Sequence, residues 1–369
     1  MRIAFFGAGA WGTAMAIHAA ARHDVLLWAR DAFQAQAMSA ERCNARYLPQ
    51  ARFPDRLAVS ENLGETCSWL GGAQQALAVV ATPVAGLRST LLELRGALPQ
   101  GLEGVLWLCK GLERETGAMP HQVAATAFPD IAHGVLSGPS FAQEVAEGLP
   151  VALTVASPAQ WLRDAAQRAF HHEAARIYGS EDVIGVELGG ALKNVMAIAA
   201  GIGDGMKLGH NARAALITRG LAEIARLGAA LGARPETFTG LTGLGDLVLT
   251  CTGDLSRNRR VGLALAQGEG LADIVRRLGH VAEGVPCAEA AAALARQHRV
   301  EMPIVSGVQA VLAGHISPGE ALRALLSREP RDEHPGGASG RDPGGPPGHG
   351  NPGASTDAAR SATTDTRKQ

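Results

Sequence analysis

Of the 34 basic side chains in this 369-residue chain only four are lysines, Lys110, Lys193, Lys207 and Lys368. Arginine serves wherever a generic positive charge will do, so a retained lysine marks a place where the amine itself matters. Lys193 lies in an apolar stretch whose helical spacing runs through Ile184, Leu188, Leu192, Val195, Met196, Ala199 and Ile202. Gly189, Gly190 and Ala197 share its face one turn before and after, which leaves room around the amine. Burying an ammonium there is costly unless it has a partner or a task. A lysine whose pKa falls towards neutrality through burial or neighbouring cations can hand a proton to a developing alkoxide, whereas an arginine can only stabilise one. The competing reading is an amine that snorkels to solvent.

Three further clusters carry similar chemistry. Lys110 follows an apolar run in Cys109-Lys110-Gly111-Leu112-Glu113, at the strand end where ligands bind in doubly wound sheets. Gly138-Pro139-Ser140-Phe141-Ala142 follows another strand end, where Ser140 could cap a helix and present its amides. Gly243-Leu244-Gly245-Asp246-Leu247 precedes Ser256-Arg257-Asn258-Arg259-Arg260 at an expected helix start, and helix-terminal amides with arginine make a phosphate site. Each cluster alone also reads as turn chemistry or a solvated face. The histidines offer no metal-ligand spacing (His171 and His172 are adjacent), and no G-x-S-x-G elbow supports hydrolysis.

Gly7-Ala8-Gly9-Ala10-Trp11-Gly12 lies between the first strand, Arg2–Phe6, and a helix over residues 13–21. Glycines at this spacing permit a tight turn, close approach of backbone to a pyrophosphate and tight helix–strand packing, which predicts dinucleotide binding. After the second strand, Arg30 suits a 2′-phosphate and Asp31 a ribose hydroxyl. Arg30 is nearer the strand end, so the reading leans to NADPH, with NADH left open.

These residues need a frame. Apolar runs predict strands at Arg2–Phe6, Asp24–Trp28, Ala76–Ala81, Gly104–Leu108, Ala132–Leu136, Val151–Val155 and Ala175–Tyr178, with helical patterns between them. Such alternation predicts an α/β, Rossmann-like doubly wound sheet over residues 1–180. Beyond Asp182, a plausible helix N-cap, the strand signal vanishes. Helical patterns at 183–202, Ala212–Leu231, Ser256–Gln267, Leu271–Leu278 and Cys287–His298 predict an all-α substrate domain over 181–330, with Pro303 and Pro318 punctuating its end. Residues 331–369 contain no Val, Ile, Leu, Met or aromatic residue and are rich in Gly and Pro, so a disordered tail is expected there.

A formal net charge of -1 argues against nucleic-acid or anionic-membrane partners. Five scattered cysteines without a C-x-x-C pair fit a reducing, cytoplasmic setting. Gly7, Gly9 and Gly12 interrupt the N-terminal apolar run, against a secretory leader, and no integral membrane segment is expected. A homodimer is left open.

Taken together the motifs resemble the bacterial NAD(P)-dependent glycerol-3-phosphate dehydrogenase family. They are G-A-G-A-W-G-T (7–13), N-A-R-Y-L-P (44–49), K-G-L-E (110–113), S-G-P-S-F-A (137–142), G-A-L-K-N-V (190–195), N-A-R-A-A-L-I-T-R-G (211–220), G-L-G-D-L-V-L-T-C-T (243–252), S-R-N-R-R-V-G (256–262) and V-A-E-G-V (281–285). The resemblance covers residues 1 to about 327 and implies reduction of dihydroxyacetone phosphate to sn-glycerol 3-phosphate, which supplies phospholipid synthesis. It implies Lys193 as proton donor and acceptor. Lys110, Gly138, Ser140, Lys193, Asp246, Ser256, Arg257 and Asn258 would line the substrate site, with Arg257 on the phosphate. Alongside Gly7, Gly9 and Gly12, the cofactor would meet Trp11, Arg30, Tyr47, Lys110, Ala142, Arg257, Val281 and Glu283. Cys109, Thr242 and Gly253-Asp254 depart from the family pattern, which bears on affinity more than on reaction. Two rival readings are a related reductase of another phosphorylated or acidic ketone, and a non-catalytic sensor of nicotinamide redox state.

Overall fold

In β1 (Arg2–Phe6), Ile3 and Phe5 enter one apolar core while Ala4 and Phe6 enter another. The same alternation holds in β6 (Ala76–Val80), where Leu77 and Val79 oppose Ala76, Ala78 and Val80. A strand buried on both faces must lie inside a sheet covered by helices on both sides. The remaining strands are β2 (Asp24–Trp28), β3 (Cys43–Asn44), β4 (Leu48–Arg52), β5 (Leu57–Ser60), β7 (Val105–Trp107), β8 (His133–Ser137), β9 (Val151–Ala156) and β10 (Ala175–Ser180). Eight of them form one sheet in the order β10-β9-β8-β7-β6-β1-β2-β5, and β3 and β4 form a separate hairpin. This is the computed structural model of the chain, and it describes residues 1–328 apart from 100, 101, 103, 173 and 279–281.

All seven expected strands form, within two residues of their expected ends. The three not expected are short or polar: β3 has two residues, β4 carries Pro49 and two exposed polar side chains, and β5 is an edge. Strands β1, β2, β5, β6, β7 and β8 run parallel, but β9 is antiparallel to β8. The link between β8 and β9 does not cross the sheet. Its short helix, Ala142–Ala146, packs on helix Ala10–Ala20 at the carboxyl rim, so the chain re-enters the sheet from the end it had just left.

That reversal decides where the all-helical part of the chain begins. Strand β10 is parallel to β9 and ends at Ser180, on the side away from the rim. Asp182 then caps the helix Val183–Gly205 by accepting from Gly185 N at 2.9 Å, and the helix runs back along β8. Ten residues on, Lys193 stands about 15 Å up this rod, close to the rim. The helix is long and apolar enough to cross a membrane by length and composition, yet all residues from Gly185 to Ile202 are buried inside the protein. Around it pack helices Gly209–Ala230, Asp246–Thr252, Arg257–Ala266, Gly284–Gln297 and Pro303–Leu312, forming a third core. No strand follows Ser180 among the described residues.

Pro303 and Pro318, expected to mark an ending, instead occupy the first positions of helices Pro303–Leu312 and Pro318–Leu326. Proline loses nothing there, because the first-turn N–H has no intrahelical partner anyway. Residues 1–327 make one compact unit. The expected tail, 331–369, lies outside the described residues.

Candidate active site

The glycine-rich turn sits where the strand order reverses between β1 and β6. Gly7 adopts φ +125°, and a Cβ there would stand 2.8 Å from the carbonyl of Ala81 at the end of β6. A Cβ on Gly12 would lie 2.4 Å from Gly7 O. These two glycines let helix Ala10–Ala20 close onto the sheet. Gly9 is different, since nothing lies within 4 Å of where its Cβ would be. The helix has neither a side-chain N-cap nor an acidic residue in its first turn, so its leading amides are left for an anion. Trp11 Nε1 is buried there without a hydrogen-bond partner. A bare cradle, open amides and an orphaned donor fit a pyrophosphate-containing dinucleotide.

The hairpin β3–β4 closes one side of this turn. Asn44 Nδ2 donates to Ala8 O at 3.0 Å and to Thr13 Oγ1 at 2.9 Å, which fastens Tyr47, Leu48 and Pro49 along the cleft. At the end of β2, Asp31 accepts from Phe33 N (3.0 Å) and Gln34 N (3.3 Å) and so caps helix Ala32–Glu41. Arg30 lines the cleft, its guanidinium 5.9 Å from the Trp28 ring and 3.6 Å from Glu93.

From the glycine-rich turn the cleft, ≈ 1110 Å³, continues to Lys110, Lys193 and Ser256-Arg257-Asn258. Asp246, fully buried, holds both lysines: Lys110 Nζ donates to Oδ2 at 2.8 Å and Lys193 Nζ to Oδ1. Lys110 also donates to Gly138 O at 2.9 Å, the same carbonyl that accepts from Ser140 Oγ at 3.1 Å. Burial pushes the Lys193 pKa down to about 7; Asp246 opposes this and Lys110 adds to it. Desolvation therefore outweighs the ion pair, and the amine is poised to exchange a proton near neutrality. Beside the loop that follows Lys110, burial raises Glu283 to about 7, with Arg257 pulling the other way. Asn258 Nδ2 donates to Asn194 Oδ1 and its own Oδ1 accepts from Gly284 N, both at 2.9 Å. Ser256 caps helix Arg257–Ala266 by accepting from Arg259 N at 3.2 Å.

The glycines beside Lys193 do not leave space around the amine. A Cβ on Gly189 would stand 2.3 Å from Thr242 O, and one on Gly190 3.0 Å from Ser137 Oγ and 3.5 Å from Lys110 Cγ. They admit the wide helical turn Leu241–Gly245, which carries Asp246 inward, and they admit the stem of Lys110.

Two family models divide the chain between them. The model described as NAD-dependent glycerol-3-phosphate dehydrogenase N-terminus matches residues 2–162, and the C-terminus model matches 182–323. The chain belongs to this dehydrogenase family. A relative from Janthinobacterium sp. (strain Marseille), named glycerol-3-phosphate dehydrogenase NAD(P)+, is 56% identical over 334 residues, covering 90% of this chain and 99% of the relative. One of the same name from Burkholderia lata is 57% identical over 336 residues, covering 90% and 100%. The crystal structure of glycerol-3-phosphate dehydrogenase from Coxiella burnetii matches with TM-score 0.83 at 40% identity, over 89% of this chain and 99% of that one. A ketopantoate reductase from Ralstonia eutropha, 17% identical with TM-score 0.53, shares the fold alone.

Within this dehydrogenase fold, Gly7, Gly9, Trp11, Gly12, Arg30, Tyr47, Lys110, Ser140, Ala142, Lys193, Ser256, Arg257, Asn258 and Glu283 border one cleft. Gly138 and Asp246 do not border it; they act on it by holding Lys110 and Lys193. Val281 lies outside the described residues. Sequence reasoning passed over three supports. Asn44 ties the hairpin to the turn. Asn194, next to Lys193, orients Asn258. Glu113 of the K-G-L-E motif receives Arg88 through two bonds of 2.7 Å and pins the loop after Lys110. Only an acidic residue three places after Lys110 hinted at the last.

Proposed function

We propose that the protein is an NAD(P)-dependent glycerol-3-phosphate dehydrogenase, reducing dihydroxyacetone phosphate to sn-glycerol 3-phosphate for glycerophospholipid synthesis in the cytoplasm. One observation carries this reading: Lys193, sharing buried Asp246 with Lys110, faces the same cleft as the glycine-rich turn and Ser256-Arg257-Asn258. Gly7, Gly9, Gly12 and Trp11 would hold the dinucleotide, with Arg30, Tyr47, Ala142 and Glu283 beside it. The nicotinamide, when bound, supplies the hydride. Arg257 and the first turn of helix Arg257–Ala266 hold the substrate phosphate, so remote binding energy orients the ketone. Lys110 and Ser140 fix the polar end of the substrate. Lys193 Nζ gives its proton to the nascent alkoxide in reduction and takes it back in oxidation, while Asp246 keeps the two amines oriented.

NADPH is the proposed preference. Arg30 faces the cleft with a charge suited to a 2′-phosphate; Asp31 borders it too, but its Oδ1 already accepts from two amides of a helix cap, leaving Oδ2 alone for a ribose hydroxyl. The proposed division is a dinucleotide domain over 1–180 and a substrate domain over 181–330; the two matched spans, 2–162 and 182–323, support it. Five buried free thiols suit a reducing compartment. The deciding assay is absorbance loss of NADPH with dihydroxyacetone phosphate, repeated with NADH and with ketones lacking the phosphoryl group. Oxidation that depends on the phosphorylated ketone, faster with NADPH, is expected. Cofactor binding without any ketone-dependent oxidation would refute the enzyme reading in favour of a redox sensor.

A further inference from the structure

The motif N-A-R-A-A-L-I-T-R-G and the second arginine of S-R-N-R-R-V-G contribute nothing to the lining of the cleft, yet both converge on Asp204. This carboxylate ends the helix that carries Lys193. Its Oδ2 accepts from Arg259 Nε at 2.8 Å and from Arg213 Nη1 at 3.1 Å, with Arg259 Nη2 in ion-pair contact at 2.8 Å. The side chains of Asp204 and Arg259 are only 14% and 12% exposed, so solvent screens this pair little. Arg259 in turn gives its backbone N–H to Ser256 Oγ. Below it the two helices touch backbone to backbone: a Cβ on Gly201 would lie 2.0 Å from Arg259 O, and one on Gly262 2.0 Å from Ile198 O.

We propose that Asp204 is a positioning residue for the anionic end of the substrate. Through Arg259 it sets where the first turn of helix Arg257–Ala266 stands. It thereby sets where a phosphate held by Ser256, Arg257 and Asn258 places the ketone relative to Lys193. Lys193 and Asp204 are eleven residues apart on one rod, about 16 Å, so the grip on the phosphate and the proton donor are referenced to the same rigid element. Arg213 is the second strut of the clamp. This rests on the reading of the cleft as a phosphorylated-ketone site.

The test is steady-state kinetics of the full chain with dihydroxyacetone phosphate and with dihydroxyacetone, beside NADPH affinity by fluorescence titration. The unsubstituted protein is assayed first; if it does not reduce the phosphorylated ketone, the proposed function fails and the clamp with it, whereas an active parent leaves the variants to judge the clamp alone. In Asp204→Asn, kcat/KM for the phosphorylated ketone should fall about 10–100-fold, mostly through KM, the scale of a sub-ångström to 1 Å misplacement. Values for dihydroxyacetone should stay within about twofold, because it carries no phosphate for the grip to hold, and NADPH affinity, to which Arg257 also contributes, should fall less than kcat/KM for the phosphorylated ketone. Arg259→Lys should repeat the pattern, and the double variant should be no worse than the worse single one. Arg213→Gln, on the more exposed strut, should show the same selectivity to a smaller degree, and it stands in if Asp204→Asn does not fold. Equal losses on both ketones, no loss on the phosphorylated one, or additive effects of the Asp204 and Arg259 changes would overturn the proposal.

Discussion

Lys193 and Lys110 meet one carboxylate in a place water scarcely reaches, so two ammonium groups share a single counter-charge. Burial then decides the protonation of Lys193, bringing it to about 7, where an amine both holds and releases a proton readily. Replacing Lys193 with Met should lower turnover by about 10²–10⁴-fold, the range for loss of a general acid, with NADPH affinity little changed. The pH dependence follows from the sign. Reduction needs the protonated amine, so its rate should fall as pH rises through about 7, and oxidation should rise over the same interval. Glu283 sits near the same value, so the two must be separated. The inflection should survive Glu283→Gln and disappear in Lys193→Arg, whose guanidinium stays charged throughout. A rate profile that loses its inflection in the glutamine variant instead would transfer the role to Glu283. The candidate lysine was legible because the chain is so poor in lysine. Its partner was not, since Asp246 is 53 residues away and nothing in the spacing ties the two.

At the scale of the element, the glycine-rich turn divides its labour. Gly7 and Gly12 are bare because protein atoms press on them, and Gly9 is bare with open space before it. Gly7→Ala would combine a left-handed φ with a clash against Ala81, costing about 1–3 kcal/mol of strain, and should lower both stability and cofactor affinity. Gly9→Ala should melt within about 1–2 °C of the parent, as its methyl meets no protein atom, and still lose cofactor affinity. Thermal melts beside NADPH titrations check the pair; a parallel effect in both variants would mean that Gly9 is structural as well. Sequence spacing revealed this turn, because G-x-G-x-x-G between a strand and a helix is a local requirement of backbone geometry. The hairpin β3–β4 stayed hidden, for β3 has two residues, β4 is polar, and the side-chain bonds that tie it to the turn come from Asn44.

For the whole molecule, the sheet and the long helix are joined by a buried clasp. Glu187 accepts from Trp107 Nε1 at 3.0 Å and pairs with His121 Nδ1 at 2.6 Å. Burial raises the Glu187 pKa, and His121 and then Trp107 pull it back. Glu187→Ala leaves Trp107 Nε1 unpaired in the interior and takes the carboxylate from the partly exposed His121, and should cost about 1–3 kcal/mol in urea unfolding, the range for an unsatisfied buried donor. A cost below about 1 kcal/mol would show that the clasp is dispensable. The compact unit closes at Ser327, so a chain ending at residue 330 should keep its kcat and melting temperature. A measurable loss of either would give the remaining segment a role.

Local order was readable without the fold. Central strands show as uninterrupted apolar runs, helices as apolar residues three and four apart, and the nucleotide turn as glycines at fixed spacing, because each obeys forces acting within a few residues. The reversal of β9 had no such signature, since strand direction depends on which end of the sheet a connection returns to. The packed faces of Gly189 and Gly190, the shared carboxylate of Asp246 and the clamp at Asp204 were equally silent. Each is made by groups remote in the chain and brought together by burial, so tertiary contact alone determines them.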